Sequence, residues 1–139
     1  MLVININQTI NGWMDNLLEK EAVKRVQQSL SSFDDSLKVQ VLEQSARTAK
    51  DAATALRCEV GAIVKSLLLR ADDKFILCLV SGDKKCSLNK VKKLTGKKDV
   101  CMANAEDVKK KTGFTIGGVS PIGLTNNFDI MIDNKLNRF

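Results

Sequence analysis

Apolar positions along this chain change their spacing several times, and each change marks a new element. Over residues 17–31, Leu17, Leu18, Val23, Val26 and Leu30 recur at near-helical intervals and predict an amphipathic helix. Residues 38–42 alternate polar and apolar side chains and read as a strand. Thr48 and Asp51 stand at capping-box spacing, with Asp in place of Glu or Gln. The helix they open carries Ala49, Ala52, Ala53 and Leu56 as a small-residue packing face. Residues 62–70 and 74–81 read as two strands joined by the polar turn Ala71-Asp72-Asp73, which is a hairpin signal. Ser87 caps a helix that turns Leu88, Val91 and Leu94 inward and ends at Gly96. A short strand over 99–103 follows, then a helix capped by Asn104 and closed by Gly113. Residues 114–116 and 128–132 read as strands flanking a glycine-proline loop. This order predicts a single α/β domain with a mixed, largely antiparallel sheet flanked by helices, and not a doubly wound one.

The loop Gly117-Gly118-Val119-Ser120-Pro121-Ile122-Gly123 changes the picture first, because it holds the only proline and three of eight glycines. Backbone of that kind can come close to a ligand and aim N–H groups at one point. It suits a substrate carbonyl or phosphate, or it is a wide turn whose glycines serve positive φ alone. The second irregularity is Lys65. Alternation puts it on one face with Ile63, Leu67 and Leu69, where an ammonium is costly unless an anionic or hydrogen-bonding group meets it. Either it snorkels to the sheet edge, or it is a pocket lysine that holds a phosphate or a carbonyl oxygen.

Composition then removes alternatives. With no histidine, neither a Ser-His-Asp nor a Cys-His nucleophile system nor an H-E-x-x-H metal site can be built. Cys58, Cys78, Cys86 and Cys101 contain no C-x-x-C pair, which argues against zinc and against a disulfide framework. Cys78 reads as core; Lys84 and Lys85 before Cys86 are cations of the kind that favour a thiolate, but with no base beside it Cys86 is not expected to be catalytic. No apolar run is long enough for a bilayer, and the first residues lack a secretory pattern, so a cytoplasmic location is expected, with no membrane, metal or cofactor. The net charge of +6 gathers in Lys84, Lys85, Lys90, Lys92, Lys93, Lys97 and Lys98, followed by Lys109, Lys110 and Lys111. Such clusters suit a nucleic-acid polyanion or are a solvated helix face, and the scarcity of aromatic residues speaks against base stacking.

Five segments in order, Ala46-Arg47-Thr48-Ala49, Ile63-Val64-Lys65-Ser66-Leu67, Ser81-Gly82-Asp83, Thr112-Gly113-Phe114 and the 117–123 loop, resemble the YbaK/ProX-like aminoacyl-tRNA deacylases. These are relatives of the editing domain of bacterial prolyl-tRNA synthetases. The resemblance covers residues 17–139 and leaves 1–16 as an N-terminal extension. It implies a curved sheet and hydrolysis of the ester on tRNA mischarged with a small amino acid, in the proline system, helped by a hydroxyl of the terminal ribose. It further implies Lys65, Gly117 and Gly118 as catalytic positions, with Lys65 and the loop facing each other across one cleft. Ser45, Thr48, Ser66, Gly82, Asp83, Val119, Ser120, Pro121 and Gly123 would bind substrate, while Lys84, Lys85, Lys90 and Lys93 would hold the tRNA acceptor end. An aminoacyl-tRNA synthetase is a further expected partner. Two departures stand out. Family members continue beyond the position of Phe139 with an acidic residue, so the alternative is an impaired relative that only binds acceptor ends. The cysteine-specific branch carries a pocket tyrosine; this chain has none, and Ser45 falls near that position.

Overall fold

In a computed structural model the described residues are 18–42 and 46–139. The expected extension over 1–16 and the substrate contact at Ser45 lie outside them. Helix α1 (Glu21–Phe33) and helix α2 (Ala49–Leu56) precede a 3-10 turn (Val60–Ala62) and the hairpin β1 (Val64–Ala71) and β2 (Lys74–Ser81). Helix α3 (Leu88–Thr95), strand β3 (Val100–Met102), helix α4 (Ala105–Thr112), strand β4 (Asp129–Ile132) and a terminal 3-10 helix (Asn134–Arg138) complete the order.

The four strands lie in the order β3-β1-β2-β4. β1 pairs antiparallel with both β2 and β3, and β4 joins β2 in parallel. The sheet is therefore mixed and largely antiparallel, as the hairpin signal predicted. Caps expected from the sequence are present. Thr48 and Asp51 close a full capping box, Ser87 and Asn104 accept from the third residue of their helices, and Gly96 and Gly113 end those helices in left-handed conformation.

Both sheet faces are covered, because side chains alternate across the strands. Leu69, Ala71, Ile76, Cys78 and Val80 face α3 and meet Val91, with Leu67, Cys86 and Leu88 around them. Leu68 and Leu77 face α4 and meet Ala103 and Val108, with Leu79, Val119, Leu124 and Phe128 against them. Leu68, Leu69 and Leu77 are essentially inaccessible, each stabilising the fold by roughly 1.5–3 kcal/mol through burial.

Two expected strands do not form. Residues 38–42 have one bridging position, Gln40. The side chain of Gln27 on α1 takes the place of a strand partner, accepting from Val39 N–H at 2.8 Å and donating to the Leu37 carbonyl at 3.0 Å. Residues 114–116 are irregular. Phe114 is buried beneath Arg25, while Ile116 stays 59% exposed in the turn that Gly118 N–H closes on the Thr115 carbonyl. An alternating pattern without a neighbouring ladder leaves the backbone to find other partners.

Candidate functional site

Two neighbouring residues at the start of β1 point to opposite sides of the sheet. Lys65 projects on the α3 side, and its Nζ donates to the backbone carbonyl of Lys84. Its ammonium reaches Cys86 electrostatically. Burial pushes the Cys86 thiol up, and the contact with Cys78 and the Lys65 charge only partly oppose it. The cations near Cys86 therefore do not give it a thiolate: desolvation outweighs them. Burial likewise carries the Cys78 thiol to about 12.

Ser66 projects on the α4 side, in the row Ser66–Leu79–Ile132 set by the strand registers. Its Oγ is buried, and no described residue offers it a hydrogen bond. Orphaned hydroxyls of this kind are uncommon and call for a cause. Around it the sheet face is apolar and partly open, since Val64, Ile130 and Ile132 are 43%, 49% and 65% exposed.

The glycine-proline loop runs over this same face. Val119 packs on the Leu68–Leu77 cluster, and Ser120 is buried with its Oγ accepting from Ile122 N–H at 3.2 Å. Pro121 is half-buried. Gly123 adopts φ +68, and a Cβ there would lie 2.9 Å from the Val26 nitrogen of α1, so both conformation and space require glycine. Gly117 has φ +83 with open space beside it. Gly118 N–H is committed to Thr115, whereas no described residue accepts from Val119 or Ser120 N–H. Of the two glycines the sequence singled out, Gly118 has its N–H engaged, while those of Gly117, Val119 and Ser120 have no acceptor among the described residues.

The strand register puts Ser66 and Leu79 on the face where Val119 packs. It does not place Lys65 opposite the loop. Lys65 instead shares its side with exposed Lys84 and Lys85 before α3 and with exposed Lys90 and Lys93 along it. Thr48 spends its hydroxyl on the α2 cap.

Gly82 and Asp83 serve closure. A Cβ on Gly82 would meet the Val60 carbonyl at 2.1 Å, and the Arg138 guanidinium grips Asp83 at 2.9 and 3.2 Å. Ser81 Oγ, fully buried, accepts from Arg138 Nη2 at 2.9 Å and has two acceptors in reach of its one proton, the Gly61 carbonyl at 2.6 Å and Asp83 Oδ1 at 2.7 Å. The Arg138 hydrogen bonds, aided by Ser81, hold the Asp83 carboxyl well below the usual carboxylate range.

One participant had no signal in the sequence. Arg25, on the polar-looking side of α1, donates from Nε to the Gly123 carbonyl at 3.1 Å and from Nη2 to the Gly113 carbonyl at 3.2 Å. A groove along α1, lined among others by Leu18, Val23, Gln27 and Val39, contains none of the expected site residues.

The sequence profile of the aminoacyl-tRNA editing domain matches residues 43–139. The chain belongs to the aminoacyl-tRNA editing-domain family. It is 36% identical over 99 residues to a proline–tRNA ligase of Caldicellulosiruptor bescii, covering 71% of this chain and 17% of that one. The chain thus spans about a sixth of the length of that relative. To the Bacillus subtilis protein YwhH it is 31% identical over 119 residues, covering 85% of this chain and 75% of YwhH. A crystal structure of a candidate trans-editing enzyme for prolyl-tRNA synthetase superposes with a TM-score of 0.80 at 39% identity, over 86% of this chain and 76% of that one. The likeness thus runs in sequence to part of a synthetase and in structure to a separate chain. Among the described residues no helix is long and apolar enough to cross a membrane.

Proposed function

We propose that this editing domain hydrolyses the ester of tRNA mischarged with a small amino acid, acting in trans in the proline system. The observation that carries the reading is the orphaned Ser66 hydroxyl on the face crossed by the glycine-proline loop, within a chain of this family. In the proposed pose the tRNA terminus wraps the start of β1. Its phosphates lie toward Lys65 and the exposed Lys84, Lys85, Lys90 and Lys93, and its aminoacyl group lies toward Ser66, between Leu79 and the loop. Phosphate contacts of this kind position the substrate without reading sequence.

The chemistry asks little of the protein. Water adds to the ester carbonyl carbon, and the bond to the ribose oxygen breaks. That oxygen leaves with a proton, releasing the amino acid and tRNA with a free hydroxyl. The developing oxyanion needs donors already in place, and we assign that part to the N–H groups of Val119 and Ser120 with the Ser66 hydroxyl. The chain contains no histidine, which fits the part that the family resemblance gives to the vicinal ribose hydroxyl in proton transfer. Selection by size is limited, because one methylene changes binding by only about 1–3 kcal/mol.

Alanyl-, cysteinyl-, seryl-, 2-aminobutyryl- and prolyl-tRNA incubated with the chain provide the test. Release of a small amino acid faster than in buffer, with prolyl-tRNA spared, is the expected result; no acceleration on any of them refutes it. A second reading, tRNA binding without hydrolysis, draws on the Lys65 ammonium being bonded to the Lys84 carbonyl and turned from the loop. Salt-sensitive tRNA binding with intact esters would select that reading.

A further inference from the structure

Helix α1 lies outside residues 43–139, the part matched by the editing-domain profile, yet it makes the contacts that shape the loop. We propose that Arg25 is a positioning residue for the deacylation, holding the 113–123 segment in its working curvature; this rests on the deacylase reading. Three observations converge on its guanidinium. Nε donates to the Gly123 carbonyl at 3.1 Å, Nη2 donates to the Gly113 carbonyl at 3.2 Å, and the group sits 5.2 Å above the ring of buried Phe114. One planar fork therefore fixes both ends of the segment and the aromatic side chain next to its start. Gly113 and Gly123 both have left-handed φ, at +77 and +68, so each carbonyl is turned out of the run of its chain and toward α1.

Both glycines leave room that a side chain would fill. A Cβ on Gly113 would lie 2.6 Å from Arg25 Nη2, and one on Gly123 would lie 2.9 Å from Val26 N. Charge-assisted bonds from a rigid fork hold direction as well as distance, which an ammonium on a flexible stem does not. Between the two gripped carbonyls lie Val119 and Ser120, whose N–H groups are the proposed oxyanion donors. Their distance from Ser66 on β1 is then set by α1 through Arg25, and misplacement by about 1 Å can cost about 10²-fold in rate.

The full chain is compared with Arg25→Met and Arg25→Lys by hydrogen–deuterium exchange and by single-turnover deacylation of the tRNA that the wild type hydrolyses fastest. Faster exchange confined to 117–123, with β1 and β2 unchanged, is expected in both variants. The rate constant should fall about 10²-fold with KM changed less than about twofold. Arg25→Lys keeps the charge but loses the fork, so it should recover thermal stability and not rate. Unchanged loop exchange in both variants, or a full rate in Arg25→Lys, overturns the assignment. Should Arg25→Met not fold, Arg25→Lys alone decides it. If the wild type hydrolyses no aminoacyl-tRNA, the deacylase reading fails by itself, and loop exchange still decides whether Arg25 shapes the loop.

Discussion

Ser66 and Lys65 separate two roles that one strand position could not combine. A buried hydroxyl without a partner costs stability, so Ser66→Ala is expected to leave the unfolding free energy unchanged or raise it by up to about 1 kcal/mol. Deacylation by that variant should fall at least tenfold; a slower enzyme that is also less stable would show Ser66 to be structural. Lys65→Ala removes the bond to the Lys84 carbonyl and should cost about 1 kcal/mol while weakening the hold on tRNA, as read by denaturation and tRNA binding in parallel. Asp83 carries the pH dependence. Its carboxyl is lowered in the folded chain by Arg138, so the native state binds the proton less readily than the unfolded one. The clasp contributes fully above the unfolded carboxylate value, about 3.9, and its contribution declines as pH falls below that. Denaturation profiles of wild type and Asp83→Asn should therefore converge toward acid and separate above pH 4 or so. A constant gap across that range would show that the ion pair adds nothing.

At the scale of elements, caps and turns were legible because their signals are local. Thr48 with Asp51, Ser87, Asn104, Gly96 and Gly113 each act within one helical turn of their own position. The misread strands depended on neighbours distant in sequence. Residues 38–42 alternate like a strand but are held by Gln27, and Phe114 is claimed by Arg25. Gly82 tests how closely the elements meet: the carbonyl of Val60 stands 2.1 Å from where a Cβ would be. Gly82→Ala must push the 3-10 turn off the end of β2, and a loss of about 1–3 kcal/mol is expected in chemical denaturation. Wild-type stability in that variant would mean the turn gives way without cost.

The whole molecule presents two chemically different sides where β1 begins, a lysine-rich one beside α3 and an apolar one beneath the loop. Binding to tRNA should therefore lose affinity steeply with salt. Lys90→Gln with Lys93→Gln should reduce the slope of log K against log salt by about one unit for each phosphate no longer neutralised. Equal slopes for variant and wild type would place the acceptor stem elsewhere.

From sequence alone came the α/β order, the hairpin, the helix caps, the family and the absence of histidine chemistry, because these depend on residue identity and spacing within short windows. Tertiary structure alone decided that Lys65 and the glycine loop occupy opposite faces, that Ser66 shares the face on which the loop packs, and that Arg25 grips its ends. Strand alternation turns adjacent residues apart. Which face a loop later covers depends on how β4 and the helices close over the sheet, a choice made by packing between segments far apart along the chain.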